Sequence, residues 1–213
     1  MKATRIAPVA AALTLLVPGL ALAQAPKPAT YITDEQVKAV NAGPGVDRQL
    51  VSVDIGKLNL AVGIIHRGSS NAPAAAAPAA PAAAAAPAAA CGEASTAAAA
   101  PGTASGILHD HQTETYIIVS GTGTLVTGGH IVNGRKSAPE SAVTQVLNGP
   151  SCSGRIEGGD VVKKVVKTGD IIIIPAGTPH GWGDIPDHVD YLSVRPDPDR
   201  VLKAGYVNPA LKK

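Results

Sequence analysis

The chain has 213 residues and a formal net charge of +2, from 18 Lys and Arg residues against 16 Asp and Glu residues. This length leaves room for one ordinary domain once tails and low-complexity sequence are set aside. Its only aromatic residues are four Tyr and one Trp, and no basic cluster stands out. A nucleic-acid interface needs clustered basic residues or stacking aromatics, so we expect no nucleic-acid partner.

Residues 1–23 have the features of a cleavable export signal. Lys2 and Arg5 precede a short apolar run, and the segment ends in the small-x-small sequence Ala21-Leu22-Ala23. The run is too short to span a bilayer, and peptidases that remove export signals cut after such small residues. We therefore expect cleavage near Ala23, no stable membrane insertion, and a periplasmic or secreted protein.

Two cysteines, Cys91 and Cys152, remain in a chain that we expect to meet an oxidising compartment. Such a compartment permits a disulfide. Both residues lie in loop-like sequence, so a loop-to-loop disulfide and two free thiols stay open as alternatives.

The first part of the mature chain predicts one helix, two strands and an insertion. In residues 24–50, Thr33 and Gln36 form a capping box that opens a short helix to about Val40. Alternating apolar residues over 51–55 and 58–64 predict the two N-terminal strands of a barrel within 51–70. Residues 71–102 are almost wholly Ala and Pro, which predicts a disordered insertion in a surface loop because recurring prolines interrupt every helix.

Residues 103–200 alternate strand and turn signals at short intervals, which is typical of an antiparallel sandwich or barrel. Within them, Ile171–Ile174 reads as a strand buried on both faces, and residues 201–213 read as a C-terminal tail. The predicted strands are Gly106–His109, Thr115–Val119, Gly123–Val126, Val143–Leu147, Val161–Val166, Ile171–Ile174 and Val189–Val194.

The stretch from Gly169 to Asp184 resembles the second sequence motif of the cupin family, G-x5-P-x-G-x2-H-x3-N. Every fixed position matches except the last, where Asp184 stands in place of Asn. The turn through Pro175 and Gly177 is expected to present His180 to the barrel interior.

Upstream, the stretch from Gly106 to Gly121 resembles the first cupin motif, G-x5-H-x-H-x3,4-E-x6-G. His109-x-His111 and Glu114-x6-Gly121 fit, but only two residues separate His111 from Glu114. Two registers stay open. In one, both histidines face inward around a tighter turn; in the other, His109 takes the place of the second histidine and His111 points outward.

The resemblance implies an all-β fold, the cupin jelly roll or double-stranded β-helix barrel, with a short N-terminal helix. It also implies a metal site formed by His109, His111, Glu114 and His180. Imidazoles with one carboxylate suit a divalent first-row metal such as iron, manganese or zinc. The resemblance implies a metal-dependent dioxygenase, decarboxylase or isomerase of a small oxygen-bearing molecule, or alternatively a module that binds a metal or small ligand without turnover. A structural barrel with an empty site is the third reading, and the four candidate ligands weigh against it.

Strand alternation predicts further residues near the metal site. Tyr116, Ile118 and Trp182 are expected to line an apolar pocket. His66 lies on the same strand face as Leu60, Val62 and Ile64, so its side chain could reach this pocket. His130 and His188 read as loop and strand-end residues, and Arg195 reads as a surface charge. Continuous Val and Ile runs, together with the resemblance, favour a homodimer.

Overall fold

The computed structural model describes residues 28–72 and 88–212. The predicted export signal over 1–23 lies outside the described residues. From Tyr31 onward the chain forms one compact unit. No helix within the described residues is long and apolar enough to cross a membrane.

The N-terminal helix α1 spans Asp34–Asn41 and begins with the predicted capping box, in which the Gln36 amide donates to Thr33 Oγ1. A π-helix spans Val143–Leu147 and a 3-10 helix spans Pro209–Leu211. The strands are β1 (Asp47–Asp54), β2 (Asn59–Gly68), β3 (Ala90–Cys91), β4 (Ser105–His109), β5 (Glu114–Thr127), β6 (His130–Lys136), β7 (Ser151–Glu157), β8 (Val162–Lys167), β9 (Ile171–Ile174), β10 (His180–Trp182), β11 (His188–Asp197) and β12 (Tyr206–Val207).

The long strand β5 joins the two sheets of the barrel. Its first part pairs with β11 and β9, and its second part pairs with β10 and β8. The first sheet continues from β11 through β2 and β1 to β12, and the second from β10 through β4, β7 and β6 to β3. Every pairing between these strands is antiparallel, and the predicted fold class, all-β with one short helix, is confirmed.

Apolar side chains fill the barrel and also cover part of its outside. Ile65, Ile118 and Tyr191 belong to a buried cluster between the sheets. On the other face of the first sheet, Val40 of α1 packs with Leu50 and Ile64. Because β2 is buried on both faces, its apolar pattern alone does not say which face lines the barrel.

Four strand predictions need correction. Thr115–Val119 and Gly123–Val126 belong to one continuous strand, β5. Val143–Leu147 is a π-helix, in which the Asn148 amide donates to the Val143 carbonyl at 2.7 Å. Ile171–Ile174 forms β9 as predicted, but Ile171 and Ile173 are 66% and 68% exposed. The reason is that β9 pairs on one side only, with β5, and turns alternate side chains away from the core.

The predicted boundary of the Ala/Pro insertion at residue 102 also needs correction. Residues 88–102 have a defined place, since β3 pairs with β6 and Cys91 is bonded to Cys152 with an S–S distance of 2.01 Å. The sequence left a disulfide and two free thiols as alternatives, and the structure contains the disulfide. The remaining part of the insertion, residues 73–87, lies outside the described residues.

Candidate metal centre

Three predicted ligands meet at the ends of three strands. His109 is the last residue of β4, while Glu114 and His180 are the first residues of β5 and β10. The turn before β10 is tied to β4, because the Gly177 amide donates to the His109 carbonyl at 2.8 Å. Gly177 has a φ of 78°, a left-handed conformation that favours glycine. The second motif therefore places His180 against the strand that carries His109.

Each of these residues directs one potential ligand atom into the same small volume. His109, Glu114 and His180 form a group whose ligand atoms all lie within 4.8 Å of one another. His109 Nε2 and His180 Nε2 each lie 3.0 Å from Glu114 Oε2. The three residues are 3%, 1% and 3% exposed, so the cluster is closed to bulk water.

Contacts at the outer nitrogens determine how each imidazole faces the cluster. His109 Nδ1 lies 3.0 Å from Ser151 Oγ, and that hydroxyl donates to the Gly149 carbonyl at 2.9 Å. His180 Nδ1 lies 3.0 Å from the Thr178 carbonyl oxygen, which can only accept. Both Nδ1 atoms therefore carry a proton. In a neutral imidazole the Nε2 atom then presents a lone pair, as in histidines that bind metals.

These lone pairs face a carboxylate oxygen. Burial lowers the pKa of the His109 imidazole, which favours the neutral ring. His180 Nε2 is buried and has no partner in hydrogen-bond geometry, although it lies 3.0 Å from Glu114 Oε2. Ligand atoms that are each about 2.0–2.2 Å from one ion lie about 3 Å apart. Two imidazole nitrogens and one carboxylate oxygen thus fit a divalent first-row cation.

The other side of Glu114 is held by donors of the protein. Arg195 Nε and Ser193 Oγ donate to Glu114 Oε1 at 2.6 and 2.7 Å, while the Tyr116 hydroxyl donates to Oε2 at 2.9 Å. Burial alone raises the pKa of Glu114, but the charge of Arg195 is the largest opposing effect, and the pKa lies well below its usual range. The carboxyl group is therefore ionised and oriented.

Arg195 is not a surface charge, which corrects the sequence-based assignment. It is 1% exposed and also donates to Asp47 Oδ2 at 2.7 Å and to the Leu147 carbonyl at 3.0 Å. The charges of Asp47 and Glu114 raise the pKa of its guanidinium against the opposing effect of burial. Strand parity could have found it, because inward-facing Tyr191 is four residues before it on β11.

His111 does not join the cluster, which corrects its assignment as a ligand. Its imidazole is 52% exposed and lies 2.8 Å from Asp199 Oδ2. The short turn before Glu114 brings His109 inward and leaves His111 in solvent. The register in which His109 takes the place of the second histidine is the one that the structure has.

The predicted pocket residues divide between the two faces of the sheet. Tyr116 and Ile118 lie in the buried cluster, and partly buried Trp182 packs against it. His66 lies outside, where its Nδ1 is 2.6 Å from Asp190 Oδ1. As predicted, His66 and Ile64 share one face of β2. That face is the one that packs against α1 and not the one that lines the barrel, so the assignment of His66 to the pocket is wrong.

The remaining motif and histidine residues lie away from the cluster. Asp184 Oδ1 accepts from Ser70 Oγ at 3.1 Å, in the turn after β10. His188 begins β11 and pairs with Asp187, while His130 begins β6 and pairs with Glu93. His188 and His130 are therefore the first residues of their strands, and each is paired with a carboxylate outside the cluster.

No protein-family model matches the chain, and neither does any curated protein. Among solved structures, the chain is similar to the protein BH2720 of Bacillus halodurans, with 12% identity, a TM-score of 0.40, and coverage of 82% of this chain and 84% of that one. A Klebsiella pneumoniae protein with a double-stranded β-helix domain has 16% identity, a TM-score of 0.37, and coverage of 80% and 93%. The CENP-C cupin domain of Drosophila melanogaster has 10% identity, a TM-score of 0.30, and coverage of 68% and 74%.

The antiparallel barrel and the buried His–Glu–His group, reached through residues that match the cupin motifs, agree with the resemblance to the cupin family that the sequence shows.

Replacing Arg195 by methionine is predicted to destabilise the protein by about 3–5 kcal/mol, because two buried carboxylates lose their shared counter-charge. Urea unfolding of the metal-free protein measures this loss. Arg155→Met is the matched control, since the pair of Arg155 with Glu157 is partly exposed and contributes less than about 1 kcal/mol. Equal losses in the two variants would contradict the role of Arg195.

Proposed function

We propose that this chain is an exported cupin in which His109, Glu114 and His180 hold a divalent metal ion, and that it acts as a metal-dependent enzyme on a small oxygen-bearing molecule. Dioxygenation, decarboxylation and isomerisation are the reaction types. Iron(II), manganese(II) and zinc(II) are the candidate ions, since the donor set accommodates each of them.

One observation carries the metal proposal. His180 Nε2 is buried without a hydrogen-bond partner, and its proton is held at Nδ1 by the Thr178 carbonyl. A buried nitrogen lone pair beside an ionised carboxylate is unfavourable unless a proton or a metal ion lies between them, and the convergence of three ligand atoms favours the metal ion. A metal ion would satisfy both groups together with His109.

When bound, the metal would act as a Lewis acid with open positions for water, oxygen or a substrate oxygen. The residues of the chain orient the ligands and keep the site dry. Ser151 and Thr178 hold the imidazoles, and Arg195 holds Glu114. Burial raises the pKa of the Tyr116 phenol, and the Glu114 charge adds to this effect. Tyr116 therefore retains its proton and serves as a hydrogen-bond donor.

A module that binds metal or ligand without turnover is the alternative function. The observation in its favour is the burial of all three ligands, because turnover requires a path for substrate to the cluster. Oxygen-uptake and small-acid turnover screens of the metal-loaded protein distinguish the two. Metal bound without any turnover would favour the module.

We propose that the protein works in the periplasm or outside the cell after loss of residues 1–23. The disulfide between Cys91 and Cys152 supports this, because such bonds persist in oxidising compartments. Mass analysis of the protein from a secreting cell is expected to give a chain that begins at Gln24 with both cysteines oxidised. A full-length or reduced chain would contradict export.

We also propose that the protein is a homodimer through the edge of its first sheet. Ile171 and Ile173 of edge strand β9 are the supporting residues, since both are more than half exposed. Light scattering at micromolar concentration is expected to give twice the mass of the chain for the parent and the single mass for Ile171→Glu/Ile173→Glu. A monomeric parent would remove the proposal.

The metal proposal predicts the metal content of alanine variants. His109→Ala, Glu114→Ala and His180→Ala are each expected to lose most of their bound metal after dialysis against a buffer with micromolar metal, because each removes one of three protein ligands. Elemental analysis per folded chain, with circular dichroism to check the fold, measures the loss.

His111→Ala is the matched control, because the His111 imidazole is exposed and pairs with Asp199. It is expected to keep the metal content of the parent. Full occupancy in His180→Ala would contradict the site, and a loss in His111→Ala equal to that in His109→Ala would contradict the three-ligand arrangement.

A further inference from the structure

A second candidate site lies in a cleft whose lining contains none of the three proposed metal ligands. The cleft has a volume of about 350 Å³. Small-molecule sites in proteins usually have volumes of about 300–1,000 Å³, so this one suits a small ligand. Its lining residues are Ser52, Pro139, Thr144, Gln145, Val146, Val201, Lys203 and Tyr206.

One lining residue carries a buried polar group that the protein leaves unsatisfied. Ser52 is 2% exposed, and its hydroxyl oxygen has no hydrogen-bond partner. A buried hydroxyl without a partner is costly, and the great majority of such groups in proteins are satisfied. A ligand with an oxygen acceptor could accept a hydrogen bond from Ser52.

The charge and the donors of the lining favour an anion. Lys203 is cationic, and the lining residues include no Asp or Glu. Burial raises the pKa of the Tyr206 phenol, so its hydroxyl remains a donor at neutral pH. Lysine, tyrosine and serine are thus the donors that this lining provides for an oxyanion. The apolar walls, Pro139, Val146 and Val201, suit a ligand with an apolar body.

The wall of the cleft is held in place before any ligand binds. Thr144 belongs to the π-helix, and its hydroxyl bonds to Ser137 Oγ and to the Ala138 carbonyl, both at 2.8 Å. The π-helix is a rare element that often occurs at functional sites. A wall that is already ordered lowers the entropy cost of binding.

From the cleft, the unsatisfied Ser52 hydroxyl and the Lys203 charge, we infer that the protein has a second binding site, for a small monocarboxylate with an apolar body. This site is independent of the proposed metal function, since it uses none of the metal ligands.

Benzoate is the probe, with benzamide as its neutral counterpart of similar shape. Titration of the full mature chain, followed by amide chemical shifts in NMR spectra, is expected to give saturable shifts at Val146, Val201 and Tyr206 with benzoate. A charged hydrogen bond contributes about 1.5–3 kcal/mol, so Lys203→Met is expected to weaken binding about tenfold or more, and Ser52→Ala to weaken it severalfold. Lys57→Met, which removes an exposed lysine outside the cleft lining, is expected to bind as the parent does.

Three outcomes would overturn the inference. The first is the absence of saturable shifts at the cleft with benzoate, and the second is equal affinity for benzamide and benzoate. The third is unchanged affinity in Lys203→Met. The same titration with His180→Ala separates this site from the metal centre: retained binding supports the cleft, and loss of binding would place the anion at the metal.

Discussion

The buried ion pair between Arg195 and Glu114 is the interaction on which the centre of this protein depends. The two oxygens of the Glu114 carboxylate contact different groups. Oε1 accepts from Arg195 and Ser193, and this leaves Oε2 facing the two imidazoles. Without the guanidinium, a carboxyl group in this dry environment would favour its neutral form. Arg195 thus keeps Glu114 ionised and aimed, as a metal ligand must be.

The same arginine connects parts of the chain that are remote in sequence. From β11 it reaches Asp47 on β1, Glu114 on β5 and the carbonyl of Leu147 at the end of the π-helix. The π-helix also supplies Val146 to the cleft that we propose as an anion site. One buried cation therefore contacts both the proposed metal centre and the π-helix from which part of the cleft is built. Buried charges of this kind are tolerated only when every partner is in place.

Much of the fold and all three residues of the proposed ligand set could be predicted, because local sequence determines them. The turn through Gly177 requires glycine and presents His180 wherever the motif occurs. Strand parity placed Tyr116 and Ile118 correctly in the core. Whether His111 also faces inward depends instead on the geometry of a short turn, which spacing alone does not determine.

Other features depended on tertiary contacts that the sequence pattern does not carry. Arg195 has the inward parity of Tyr191, but the proline and acidic residues that follow it are typical of the surface; its burial depends on partners from β1 and β5. His66 has the right parity, but α1 covers that face of β2. Ile171 and Ile173 are exposed although they lie in an apolar run, because alternation along β9 turns them away from the core that Ile172 and Ile174 face.

The most direct test of the central claim is anomalous diffraction at the metal absorption edge from crystals of the mature, metal-loaded protein. A single strong peak is predicted about 2.0–2.2 Å from His109 Nε2, His180 Nε2 and Glu114 Oε2, with Arg195 still bonded to Oε1. A peak that includes His111, or ordered side chains of His109, Glu114 and His180 with no peak between them, would contradict the claim.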